Sequence, residues 1–145
     1  MIVVDANVLL SALRSSRGAS NRLLAQMLLG EIPFAVSPAV ALEYEDVLKR
    51  TAAYEPGAAP TVSAVDTVLD AIFARAALVS PFFRFRPFLA DPGDDLYIEC
   101  ALAAGATITV SRDKHFLAPV VARFGLTMMN AGELIAERER QRDQL

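Results

Sequence analysis

The sequence predicts an α/β protein: one three-layer α/β/α domain, spanning residues 1–145, built on a central and mainly parallel sheet. Three observations carry this expectation. Short β-branched runs alternate with helix-length apolar-periodic segments along the chain, the pattern of strand–helix–strand units whose sheet is covered on both faces. A length of 145 residues suits one core and is too short for two. More than half of the residues are apolar (54%), so this core needs neither disulfides nor a structural metal.

Taken in order, Met1 to Val4 is a β-branched strand that stops at Asp5. Ala6–Leu13 and Asn21–Leu29 read as helices separated by the turn cluster Ser15-Ser16-Arg17-Gly18. Pro33–Ser37 reads as a second strand, and Pro38 then suits the first turn of a helix running to about Arg50. Two prolines and a glycine mark Tyr54–Pro60 as a loop. The next helix begins at Thr61 and ends near Ala76, with a short third strand at Leu78-Val79-Ser80. A phenylalanine-rich irregular connection, Pro81–Pro92, leads to a helix over Asp94–Ala104 that Gly105 terminates. Thr107–Val110 is a strand, Asp113–Phe124 a helix and Leu126–Met129 the last strand. Asn130 caps a final helix whose end, Glu137–Asp143, is almost wholly charged, so 137–145 reads as a frayed tail.

Composition narrows the functional classes. No stretch reaches the ~18 uninterrupted apolar residues of a membrane span, and no basic region precedes the first apolar run, so neither a spanning helix nor a signal peptide is expected. Cys100 is alone, which excludes an internal disulfide and suits a reducing compartment; the expectation is a soluble cytoplasmic protein. The net charge of −3 argues mildly against nucleic acid. It is not decisive, because acids gathered in one site leave the remaining surface nearly balanced. Arginines and lysines do cluster, at Arg14, Arg17 and Arg22, at Lys49 and Arg50, at Arg84 and Arg86, and at Arg112 and Lys114, although any one set taken alone reads better as ordinary solvated charge.

The acids supply the sharper signal. In a parallel sheet, sites lie beyond the carboxyl ends of the strands, and Asp5 and Asp113 both follow strands, so they emerge on one edge. Each could also serve simply as an N-cap for the helix behind it. Asn7 can hydrogen-bond near Asp5, and Ser111 can orient Asp113 or act as a plain turn serine. Glu43 borders the apolar face formed by Val40, Tyr44, Val47 and Leu48 more closely than Glu45 or Asp46 do, and it reads equally as a surface glutamate. In Asp91-Pro92-Gly93-Asp94-Asp95 the acids face the start of a nearly all-apolar helix. Asp94 and Asp95 cannot both face one point, so one can bind metal while the other caps. Glu99 lies one turn beyond Asp95 as a supporting group or an edge residue. Carboxylates converging in this way repel unless a hard cation such as Mg²⁺ or Mn²⁺ neutralises them. His115 is the only histidine, and no Walker-type phosphate loop is present, which removes histidine-pair and nucleoside-triphosphatase chemistry.

These residues resemble the PIN domain family. Ile2-Val3-Val4-Asp5-Ala6-Asn7-Val8-Leu9 is similar to its opening motif. Ser37-Pro38 followed by Glu43 resembles its second motif, Asp94 ahead of Ala101-Leu102-Ala103-Ala104 its third, and Val110-Ser111-Arg112-Asp113-Lys114-His115-Phe116 its fourth. The resemblance runs from Met1 to about Asn130, and the Asp91-Pro92-Gly93-Asp94-Asp95 form is similar to VapC-like toxins of toxin–antitoxin pairs. It implies a Mg²⁺- or Mn²⁺-dependent endoribonuclease with Asp5, Glu43, Asp94 and Asp113 as metal ligands and catalytic residues, Asp95 being the alternative to Asp94. It also implies a homodimer and a small antitoxin partner. Arg14, Arg84, Arg86, Arg112 and Lys114 flank the expected site and would meet RNA phosphates. A Mg²⁺-dependent phosphatase of the haloacid dehalogenase type is the weaker rival, since Asn7 stands where that chemistry wants a second acid. A catalytically weak RNA- or antitoxin-binding module on the same fold is the other.

Overall fold

The computed structural model describes residues 1–54, 60–81, 95–112 and 122–145. The strands are β1 (Ile2–Val4), β2 (Ala35–Val36), β3 (Ala77–Leu78), β4 (Ile108–Val110) and β5 (Thr127–Met129). The helices are α1 (Ala6–Arg14), α2 (Ala19–Leu28), α3 (Pro38–Tyr54), α4 (Val62–Arg75), α5 (Asp95–Ala104) and α6 (Ala131–Asp143).

All strand pairings among the described residues are parallel. β4 lies between β1 and β5, in a register that sets Val4 beside Val110 and Val110 beside Met129. β2 pairs with β3, and a parallel bridge from Ile2 to Phe34 joins this pair to β1. The strands therefore run β3-β2-β1-β4-β5. Successive side chains of a strand point to opposite faces, and Ile2, Val3 and Val4 are all 4% exposed or less. Both faces of the sheet are thus covered by helices, and the fold is the α/β/α arrangement expected. From β1 the chain proceeds outward through β2 and β3, then returns to β4 and continues to β5 on the other side. The reversal falls between β1 and β4, the place where open α/β sheets hold their ligands.

Local chemistry explains the boundaries. Ser37 caps α3, its hydroxyl accepting from the Val40 amide at 3.2 Å, with Pro38 in the first helical position. α3 then runs to Tyr54 rather than stopping near Arg50, because Val47, Leu48 and Ala52 continue its buried stripe. Thr61 caps α4 through the Ala64 amide. α5 ends as expected at Gly105, whose φ of +66° allows the Ala106 amide to bond back to Ala101 and the Gly105 amide to Leu102. Asn130 and Glu133 form a reciprocal capping box at the start of α6.

The charged end of α6 departs from the sequence reading. It stays helical to Asp143, not a frayed tail from Glu137. Arg22 on α2 pairs with Glu139, and the Arg138 guanidinium donates to the Glu31 carbonyl at 3.1 Å, so partners on other elements hold these charges in place. The expected helix Asp113–Phe124 falls largely outside the described residues. Among the described residues no helix is long and apolar enough to cross a membrane.

Candidate active site

Asp5 stands where β1 gives way to α1, and it is 4% exposed. Its backbone amide bonds to the Val110 carbonyl at 2.9 Å, which ties it to the end of β4. One carboxylate oxygen accepts from the Asn7 amide at 3.2 Å, capping α1. The other accepts from the Ser111 hydroxyl at 2.9 Å. Asp5 is thus a helix cap and also a buried charge aimed at the neighbouring strand end. Cap and site are the same residue, not alternatives. Ser111 is itself fully buried, fixed by its amide on the Met129 carbonyl.

Two tyrosines, Tyr44 and Tyr97, brace the same backbone. The Tyr44 hydroxyl, from α3, donates to the Val4 carbonyl at 2.5 Å, and the Ala6 amide donates to the Tyr97 hydroxyl, from α5, at 3.1 Å. The peptides on both sides of Asp5 are therefore pinned. Burial first, with further contributions from Cys100 and the Asp5 charge, raises Tyr44 well above the ordinary tyrosine range. Burial likewise raises Tyr97, helped by Asp5 and, more weakly, by Tyr44 and Glu43. Both remain neutral hydrogen-bonding groups. The charges of Asp5 and Glu43 both bear on the Tyr97 hydroxyl, so β1, α3 and α5 converge there. The sequence reading treated both tyrosines as plain core. The available signal was that a tyrosine deep in an apolar stripe needs a partner for its hydroxyl.

The other expected acids divide. Glu43 is half-buried on α3. Asp95 opens α5 and is fully buried, and Glu99, one turn further on, is 7% exposed with Oε1 buried and lacking a hydrogen-bond partner among the described residues. Asp94 and Asp113 lie outside the described residues, as do Arg84, Arg86 and Lys114. Among the described residues no three acids, histidines or cysteines gather closely enough to hold a metal ion. Cys100 faces Ser37, and burial pushes its thiol up to about 11, so it is neither a thiolate nucleophile nor a soft metal ligand near neutral pH.

A cleft of about 450 Å³ opens over Asp5, lined also by Asn7, Leu10, Ser11, Arg14 and Arg112. Arg112 donates to the Ser11 hydroxyl at 2.8 Å, which bridges the end of β4 to α1. A buried carboxylate thus shares an open cleft with two guanidinium groups. That combination can hold a hard cation on one side and a phosphate on the other.

Comparison with known proteins bears on the fold and the family. No curated protein sequence matches the chain. A chain in the crystal structure of VapBC2 from Rickettsia felis, bound to a DNA fragment from their promoter, superposes with a TM-score of 0.56 at 15% identity. The match covers 90% of this chain and 98% of that one, and at such identity it speaks for the fold alone. Residues 1–115 match the profile of the PIN domain family, and the chain belongs to that family.

Proposed function

We propose that this PIN domain is a divalent-metal-dependent endoribonuclease that hydrolyses RNA phosphodiester bonds and acts as the toxin of a toxin–antitoxin pair. The observation that carries the reading is Asp5. It is a buried carboxylate at the reversal point of the sheet, held on both oxygens, and it opens onto a cleft that contains Arg14 and Arg112.

The donor chemistry fits Mg²⁺ or Mn²⁺. Asp5, Glu43 and Asp95 are hard oxygen donors on elements that pack together, although among the described residues no three acids close on one point, and Glu99 Oε1 is a buried acceptor on the helix that Asp95 opens. Asp5, Glu43, Asp113 and one acid from the Asp94-Asp95 pair would hold the ion. Asp94 is the first choice from that pair and Asp95, fully buried at the start of α5, the alternative. A bound ion would supply charge stabilisation to the phosphate and bring water attack within reach of neutral pH. The protein's own part is positioning. Ser111 and the Asn7 amide fix the Asp5 carboxylate, Tyr44 and Tyr97 fix its backbone, and Arg14 and Arg112 draw the phosphate in. A small antitoxin bound across the cleft, a homodimer and a cytoplasmic setting complete the reading. Its support is family membership and a fold shared with a chain of a VapBC complex.

The test is cleavage of a mixed RNA panel with Mg²⁺, Mn²⁺ or EDTA, comparing the native chain with Asp5→Asn. Metal-dependent cutting that the substitution abolishes is the expected result. RNA binding without cutting under any condition would instead make the protein a binding module.

A further inference from the structure

A second cleft, of about 440 Å³, lies beside the first. Ser11 and Arg112 line both, and Ser111, whose hydroxyl holds Asp5, lines the second. The two are thus arms of one groove that meet at the Arg112 guanidinium and cross the carboxyl ends of β1, β4 and β5. The second arm is walled by the hydroxyls of Ser15 and Ser20, the Asn130 amide and the apolar side chains of Ala19, Met128 and Ala131, and among the described residues no carboxylate lines it. In a chain of net charge −3 this is a local departure from the average. Two helix starts, Ala19-Ser20 of α2 and Ala131-Gly132 of α6, also open into it. A methyl group on Gly132 would stand 3.9 Å from the Ala19 side chain, which shows how closely the two starts approach. The α2 start follows Gly18 and carries no acid in its first turn, so its amides and dipole add to the positive potential set by the shared guanidinium, whereas the α6 start is already capped by Asn130 and Glu133.

We infer that this second arm seats a backbone phosphate of the RNA strand adjoining the one that lies over Asp5, with Arg112 bridging the two. The inference rests on the ribonuclease reading for the identity of the strand. It goes beyond that reading in assigning the direction of the RNA track, from Asp5 across Ser111 towards the α2 and α6 starts. Neutral hydroxyl and amide walls contact sugar and phosphate without selecting a base, so this arm positions the strand and leaves sequence choice to other contacts.

Ser20→Asp places a carboxylate in the arm at the second position of α2, where an acid suits the helix dipole and the fold is retained. Ser63→Asp is the matched control: the same charge change at the second position of α4, away from both arms. Both are made in the Asp5→Asn chain, and binding of a fluorescent 12-nucleotide RNA in EDTA is followed by anisotropy across a salt series. The expected result is that Ser20→Asp weakens binding about fivefold or more and reduces the log–log salt slope by about 0.7, the value for one lost phosphate contact on a single strand. Equal effects from Ser20→Asp and Ser63→Asp would overturn the inference. Absence of RNA binding by the Asp5→Asn parent would overturn it as well, even with the native chain cutting RNA. Binding sensitive to Ser20→Asp, in a native chain that never cuts, would sustain the track and remove the nuclease.

Discussion

The carboxyl ends of β1 and β4 and those of β2 and β3 lie along one edge of a single parallel sheet, yet they present opposite chemistries. Past β1 and β4 come Asp5 and Ser111, bonded to each other beneath a cleft that holds two arginines. Past β2 and β3 is a cleft of about 420 Å³ whose walls include Val36, Pro38, Ala41, Phe73 and Val79. A strand end is therefore not polar by default. The difference follows from topology: β1 and β4 are neighbours whose onward connections leave in opposite directions, which opens a crevice between them, whereas β2 and β3 are consecutive.

This contrast can be broken experimentally, and the largest effect is expected at Asp5. Asp5→Asn should lower RNA cutting about 10²-fold or more with the fold retained, because the amide oxygen still caps the Asn7 amide and its NH2 can donate to the Ser111 hydroxyl, while the group is a poor metal ligand. Leu78→Ser, at the other pair of strand ends and 73% exposed, should leave cutting within about twofold. A comparable loss from both would erase the distinction. Next comes Ser111→Ala, which removes the hydroxyl donor to Asp5. Cutting should drop about tenfold, the cost of one hydrogen bond to a charged group, and measurement of kcat against KM should place the loss in kcat. Tyr44→Phe sharpens the comparison from the packing side. It takes the hydroxyl from the Val4 carbonyl and should cost about 1–2 kcal/mol in urea unfolding.

The last effect concerns Cys100 and is absent near neutral pH. Its thiol is raised from 9.0 to about 11 in the folded protein, chiefly by burial. As pH passes 9 the unfolded chain loses this proton first, so stability falls between about pH 9 and pH 11, by about 1.4 kcal/mol per unit at most. Below pH 9 the group adds no pH dependence. Cys100→Ala should flatten that alkaline slope in denaturant titrations, and an unchanged slope would mean that the thiol is less buried than described.

Much of this arrangement was legible in the sequence because it is written in local patterns. Ile2-Val3-Val4 followed by Asp5, and Thr109-Val110 followed by Ser111, announce two strands that end in polar groups on the same edge. Caps at Thr61 and Asn130 and the stop at Gly105 are equally local. What escaped depends on partners far away in the chain. Charge at Glu137–Asp143 reads as solvated tail until Arg22 and Glu31 supply its contacts. Tyr44 and Tyr97 satisfy helical periodicity whether or not their hydroxyls brace β1.

The bond between Asp5 and Ser111 joins residues 106 positions apart, and this has a consequence for biosynthesis. A ribosome delivers Asp5 long before β4 exists to pair with β1, and closing so long a loop has an entropic cost that only the completed sheet repays. Until then the aspartate has neither its serine nor its neighbouring strand, and the groove around Arg112 has no far wall. The site around Asp5 is in this way incomplete in the growing chain, and it forms late, when β4 joins β1.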